Sequence, residues 1–251
     1  MPALLTLRLA AVPGMVGPRQ LLGAACGLFE TDTSDHHAAV KPFAVGPFSP
    51  ASTVAAPAQD TGSASGAAWR LGWLPDGPPP AWPPTQVRFG VVTCPVVAHH
   101  EQAWSFAEIA ATPPARRAVL TVLTPLFFAR NGRDLPLPEP VLIVRSLVTR
   151  WNAHAPAGLA ISDTDSRAVA DAVYLAAMPG GHTVDIQVAD TVHQTGFVGT
   201  AELALLRAAA NRTASILAAL ARFAVIAGIG AQTTHGFGAV DVQLPARPAG
   251  R

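Results

Sequence analysis

Apolar residues in this chain alternate with polar ones in some stretches and recur every three to four residues in others, and the changes of period divide it into elements. Ala3 to Ala11 alternates leucines with Thr6, Arg8 and Ala10, the pattern of a half-buried strand. Gly14 and Gly17 end it. Pro18 then opens a helix over Arg19 to Phe29, with Leu21, Leu22, Ala25, Cys26 and Phe29 at helical spacing. Val40 to Phe48 reads as extended, and its two prolines make it an edge strand or an arm. Ser49 to Ala68 is mostly Ala, Ser, Thr, Gly and Pro, a loose insertion. Strand signals resume over Trp69 to Leu74, break at Pro75 to Pro84, and return over Gln86 to Val97. Strand, helix, strand and strand in that order, with a further strand signal after them, fits an α+β sandwich.

The second half starts a similar series. Glu101 to Ala111 reads as a short amphipathic helix or linker, and Pro113-Pro114 marks a boundary, giving units 1–112 and 113–251. Arg117 to Phe128 is a strand, Asn131-Gly132 punctuates a turn, and Val141 to Asn152 is a helix with Val141, Val144, Leu147 and Val148 on one face and Arg145 and Arg150 on others. Ser166 to Met178 carries a weak signal; His182 to Val188 reads as a strand. From Thr200 to Ile226 the spacing admits one long alanine-rich helix, and equally a strand followed by a later helix.

A length of 251 residues holds one large domain or two of about 100 to 130 residues. No apolar run approaches the ~20 residues that span a bilayer. The start lacks a basic leader region and reads as a strand, so a cytoplasmic protein with no membrane partner is expected. Cys26 and Cys94 lack ligand-like spacing and are expected as buried thiols, with no metal site. The formal charge of +1 weighs against nucleic-acid binding, which usually shows as a basic excess. Of the seventeen cations only Lys41 is a lysine.

The stretch Phe223 to Val242, FAVIAGIGAQTTHGFGAVDV, runs from an apolar helix end through a glycine-spaced loop into an alternating strand. Gly228, Gly230, Gly236 and Gly238 bracket Gln232, Thr233, Thr234 and His235. Glycine leaves no side chain between main chain and ligand, so such a loop can lie against a phosphate backbone while Thr and Gln supply neutral donors. A helix cap followed by a hairpin-like turn would need only one or two of those glycines. A dinucleotide fingerprint is excluded, because that motif follows a strand and opens a helix. A small-molecule enzyme using the loop for a nucleotide phosphate finds no P-loop and no clustered acidic site elsewhere.

GIGAQTTHGFGAV resembles the C-terminal glycine-rich loop of the CRISPR repeat-processing endoribonucleases, in the repeat-associated mysterious protein superfamily. Three further stretches resemble that family: Leu123 to Asn152, ending in Arg-Trp-Asn; TGFVGTAEL, Thr195 to Leu203; and HHAAVKPFAVGPF, His36 to Phe48. The resemblance is near-continuous from 117 to 242 and patchy before. It implies two tandem ferredoxin-like (RRM-like) domains, places a strand through Gly196 and Gly199, and starts the last helix near Arg212.

It also implies a chemistry: cleavage of CRISPR precursor RNA inside its repeats without metal or cofactor, the 2′-hydroxyl attacking the adjacent phosphate to leave a 2′,3′-cyclic phosphate and a 5′-hydroxyl. Such a reaction needs a group to take the 2′-proton, a group to protonate the leaving oxygen, and a cation beside the phosphorane. The Lys-Pro-Phe match puts Lys41 on the family's catalytic lysine and His36 or His37 on its catalytic histidine. Spacing does not choose between them; His37 is preferred. Several relatives add an early tyrosine, whereas the one tyrosine here is Tyr174. RNA contacts are expected from the glycine loop, from His193 and His235, and from Arg116, Arg117, Arg130 and Arg133 as a phosphate-contacting patch. His99-His100 reads as the surface end of a strand. The implied partners are a hairpin or single-stranded repeat RNA and other CRISPR effector subunits. The competing reading on the same fold is a non-catalytic subunit that holds guide RNA.

Overall fold

The computed structural model describes residues 1–10, 16–31, 40–50, 66–189 and 192–245. In the first half, β1 (Ala3–Leu9) is the centre of a five-stranded antiparallel sheet. After α1 (Pro18–Phe29) come β2 (Phe43–Pro50) and β3 (Ala67–Trp73), then β4 (Gln86–Phe89) and β5 (Val92–Ala103); the sheet order is β2-β3-β1-β5-β4. Leu5 faces Leu71 and Leu7 faces Trp69 across β1 and β3, all four fully buried, so the alternating pattern of β1 supplies one side of the core. Phe29 closes α1 onto Phe43 and Trp73 at ring separations of 5.5 Å each, and Trp82 of the proline-rich connection stacks on it at 6.4 Å. As expected, β2 is an edge strand.

Two readings need correction here. Gln86 to Val97 is not one strand but the β4–β5 hairpin, turned at Gly90 with φ +63°. Its second strand runs on to Ala103, so the helix expected from Glu101 shrinks to α2 (Phe106–Ala110). Ser105 caps that helix: its hydroxyl accepts from the Glu108 N–H at 3.1 Å, and the Glu108 carboxylate accepts from the Ser105 N–H at 2.6 Å. The expected boundary near residue 112 falls just after this helix, yet Phe106 and Ile109 belong to the second core.

That second core lies beneath a second antiparallel sheet centred on β6 (Arg117–Leu126). The β7 (Phe128–Arg130) and β8 (Arg133–Leu135) hairpin projects from its end, turned through Asn131 and Gly132 with φ of 52° and 71°. Helices α3 (Pro140–His154) and α4 (Asp163–Ala172) lead to β9 (Val173–Ala177) and β10 (His182–Ala189), which pair with successive stretches of β11 (Val192–Leu205). Helix α5 (Asn211–Ala227) then returns the chain to β12 (Val240–Gln243), which closes the free side of β6. Strand, helix, strand pair, helix, strand, all antiparallel, is the ferredoxin-like order. The weakly signalled 166–178 stretch is helix and strand in succession.

The alternative of one helix from Thr200 fails because Thr200 to Ala204 pair with Thr121 to Arg117 of β6, and the strand runs on to Leu205 opposite Val173. A Cβ on Gly196 would sit 2.6 Å from Pro125 Cβ, and one on Gly199, at φ +118°, 2.7 Å from the Gly180 carbonyl. Both glycines serve close sheet contacts just before this run; Ala201, Leu203 and Leu205 face the core, Thr200 and Glu202 are half-buried on the other face, and buried Ala204 on that face gives the run its helix-like spacing. Phe106, Trp151 and Phe223 then form a mutual aromatic trio at 4.9 to 5.9 Å, joining α2, α3 and α5.

Helix α5 is buried on nearly all sides because it touches both sheets. Its last turn lies against β3, where a Cβ on Gly72 would stand 1.8 Å from the Ile226 carbonyl oxygen. Next to it, Arg70 donates to the Val225 carbonyl at 2.9 Å and the Val240 carbonyl at 3.1 Å, and pairs with Asp241 at 2.7 Å. A cation at the carbonyl end of a helix is favourable, and this one comes from the other half of the molecule. Gly72→Ala is predicted to lower stability by more than about 2 kcal/mol in urea melts, since the backbone cannot yield as a side chain can. Gly23→Ala on α1, where an added Cβ meets nothing within 4 Å, is expected to be neutral or to stabilise by up to about 1 kcal/mol.

Candidate functional site

The glycine loop begins where α5 ends. Gly228, at φ +65°, donates to the Ala224 carbonyl at 2.9 Å; Ile229 and Gly238 then bring the two arms together, Ile229 N–H donating to the Gly238 carbonyl at 2.8 Å. Gly238 N–H donates to Pro125 O at 2.9 Å and Ala231 N–H to Phe127 O at 2.8 Å, fastening both arms to the end of β6. A Cβ on Gly238 would be 1.8 Å from Ile229 O, and one on Gly230 2.4 Å from Phe127 O. These glycines let chain lie against chain. Gly228, Gly230 and Gly238 are buried, and the surface they were expected to offer is carried instead by the tip, where Gln232 is exposed and Thr234, His235 and Gly236 are half-buried. Gln232 itself takes a left-handed conformation, φ 52°, and opens a single turn, Thr233–His235.

That tip wedges between the halves: a Cβ on Gly236 would meet Leu21 of α1 at 3.1 Å and Val45 of β2 at 3.8 Å. Facing it is an open cleft of about 430 Å³, whose polar walls are Lys41, Ser146, Thr149, Arg150, Gln232, Thr233 and Thr234. Three separate pieces of sequence meet here: the segment before β2, one face of α3, and the loop.

Lys41 Nζ lies 2.5 Å from Glu30 Oε1, with both side chains largely withdrawn from solvent. Its backbone carbonyl accepts from His154 Nε2 at 3.3 Å, so the last turn of α3 anchors the lysine segment. Glu30 also touches Cys26, whose thiol is pushed up to about 11 by burial and then by this carboxylate, which makes it unreactive. Arg150 reaches under the loop: Nη2 donates to Gly230 O at 2.6 Å and Nη1 to Gly228 O at 3.4 Å, and burial pushes its pKa down to about 10. Burial holds His154 below its ordinary 6.5, partly offset by its bond to Lys41. Burial, and then the Arg19 charge, does the same to His235.

The remaining expected site residues divide. His36 and His37 lie outside the described residues. Arg116, Arg117, Arg130 and Arg133 do not form one patch: the nine steps of β6 from Arg117 to Leu126 separate the two pairs by about 30 Å. Arg116 caps a turn, donating to Leu206 O at 2.6 Å, Arg207 O at 2.9 Å and Ala209 O at 3.0 Å, while Arg117 pairs with Glu202. Arg130 and Arg133 are exposed neighbours across the β7–β8 hairpin, which leaves β6 beside the loop. His193 is exposed near the start of β11. His99 and His100 sit within β5 opposite Leu7 and Thr6, not at a strand end. Sequence reasoning passed over Ser146, Thr149, Arg150 and His154. The signal for them was a polar stripe at helical spacing on an otherwise apolar α3, with Arg150 inside the Arg-Trp-Asn match. Among the described residues, no group of three or more His, Cys, Asp or Glu side chains is placed to hold a metal ion, and no helix is long and apolar enough to cross a membrane.

The two depressed histidines set a pH dependence. Below about 6.5 the unfolded chain takes up protons that folded His154 and His235 resist, so stability is lost as pH falls from 7 toward 5. Melting is expected to drop over that interval, by roughly 2–4 °C for each 1 kcal/mol, and less in His154→Gln than in the parent. Equal drops in both would remove His154 from this account.

No curated protein shows significant sequence similarity to the chain. The profile of the CRISPR-associated endoribonuclease Cas6 family matches residues 120–240. Among solved structures, a product complex of Cas6 (TTHA0078) is 26% identical over 96% of this chain and 99% of its own, TM-score 0.75. A substrate-mimic complex of the same protein is 25% identical over 96% and 99%, TM-score 0.71. The product complex of Cas6 (TTHB231), a Thermus thermophilus protein, shares the fold at TM-score 0.77 with 24% identity, covering 97% of this chain and 100% of that one. The fold is thus shared from end to end with Cas6 structures, and the half of the chain that builds the loop, residues 120–240, carries the profile of the Cas6 family.

Proposed function

We propose that this chain processes CRISPR repeat RNA as a metal-independent endoribonuclease, cutting inside the repeat by 2′-hydroxyl attack to leave a 2′,3′-cyclic phosphate, and then holding its product. One observation carries the reading: the chain's single lysine and the Gln232–Thr234 tip line the same open cleft of about 430 Å³. In this reading residues 1–112 and 113–251 act as two ferredoxin-like domains that grip the RNA from either side of that cleft. Arg130 and Arg133, on the hairpin beside the loop, continue the phosphate path. His37, with His36 beside it, moves the protons at the reacting phosphate, and Lys41 stabilises the charge that builds there. Relatives solved with product or substrate mimic support the substrate class.

A second reading, an RNA-holding subunit without catalysis, is favoured by the close Lys41–Glu30 pair, which neutralises the one ammonium available to the phosphorane. The two separate in one experiment. End-labelled repeat RNA incubated with the protein in EDTA is expected to yield a 2′,3′-cyclic phosphate end. His36→Ala with His37→Ala is expected to slow cleavage by about 10²-fold or more while binding changes little. RNA that is bound but left intact by the parent protein would establish the holding role instead.

A further inference from the structure

Arg150 raises a question that the cleavage reading leaves open: what balances its charge. Its two carbonyl partners, Gly228 O and Gly230 O, orient the guanidinium but bring no negative charge, and among the described residues no carboxylate pairs with it. Lys41, which lines the same cleft, already has Glu30. Removing a cation from water without a counter-ion is unfavourable, and the depressed pKa of Arg150 records that penalty. An arginine has five N–H donors, so two carbonyl bonds leave three uncommitted on a group that lines an open cleft.

We infer that Arg150 is a phosphate-anchoring residue, taking one backbone phosphate of the bound RNA between its guanidinium and the Gln232 and Thr234 side chains at the loop tip. This rests on the RNA-processing reading and deepens it. The neighbouring hydroxyls fit an accepting, space-setting role: Ser146 donates to Ile143 O at 2.9 Å and Thr149 to Arg145 O at 2.9 Å, so both are engaged along the helix. Donors for an anion therefore come from Arg150, the exposed amide of Gln232 and, when the His235 Nδ1 that lies 3.2 Å from it carries the proton of their contact, the hydroxyl of Thr234. The guanidinium thus fixes the loop through its carbonyls and at the same time presents its remaining N–H groups to the phosphate. An anion bound there would supply the missing counter-charge and tighten the same loop.

An artificial counter-charge tests this. Ser146→Asp places a carboxylate four residues before Arg150 on the same helix face, within pairing reach. Labelled repeat RNA is titrated against parent, Ser146→Asp and Arg150→Gln at several salt concentrations, with melting recorded alongside. Ser146→Asp is expected to melt at or above the parent temperature, bind about tenfold or more weakly on every RNA tested, and flatten the salt slope by about 0.7, one single-strand phosphate contact. Arg150→Gln is expected to show the same flattened slope, and Arg150→Lys to recover it, a pattern that loss of loop shape alone would not give. Parent affinity and slope in a folded Ser146→Asp would overturn the anchor while leaving the RNA reading intact. Should Ser146→Asp fail to fold, equal slopes in Arg150→Gln and the parent would overturn it instead. A parent protein that binds no RNA would overturn both.

Discussion

The close approach of the last turn of α5 to β3 is the constraint from which the rest of the molecule follows. Gly72 removes the one Cβ that would hold the Ile226 carbonyl away, and Arg70 ties the adjacent carbonyls of Val225 and Val240 to the first sheet. The bond to exposed Asp241 adds little by itself, whereas the bonds to carbonyls at a helix end act where water is scarce. With α5 fixed between the sheets, the chain that follows has one place to go. It turns at Gly228, is fastened to the end of β6 at Pro125 and Phe127, and carries Gln232 to Gly236 onto α1 and β2. The cleft thus depends on a helix contact that has no part in its walls.

Charge is distributed on the same plan. A formal charge of +1 for 251 residues gives no global field to attract RNA, yet the cleft holds two cations in different electrical circumstances. Lys41 is matched by Glu30, and Arg150 only by carbonyl dipoles. Elsewhere arginines are occupied with structure: Arg116 with a turn, Arg117 with Glu202, Arg212 with Asp165 at 2.9 Å. Net charge therefore describes the outside of this molecule better than it describes the groove.

Much of the architecture was legible because period and punctuation agreed. The alternation in β1, the proline that opens α1, the Asn131-Gly132 turn and the face of α3 each depend on local chemistry that the structure keeps. The stretches that misled share a cause: their character is set by partners distant in sequence. Residues 200–205 have helix-like spacing because Ala204 is buried on the face opposite Ala201 and Leu203, and only the pairing with distant β6 makes them a strand. The β4–β5 turn carries a single glycine, too little to interrupt an apolar run. The site was legible in type, lysine and glycine loop included, but not in assembly. Nothing local marks that Arg150 lies beneath Gly230, that His154 holds the lysine segment, or that Arg116 and Arg130 stand beyond opposite ends of β6.

The most direct measurement is a structure with repeat RNA whose attacking 2′-hydroxyl is replaced by hydrogen, so that the chain is bound but uncut. A backbone phosphate about 3 Å from the Gln232–Thr234 tip, with Lys41 and the 36–37 segment at the same nucleotide, is the predicted result. RNA lying along another face, with the cleft between α3 and the loop empty, would contradict it.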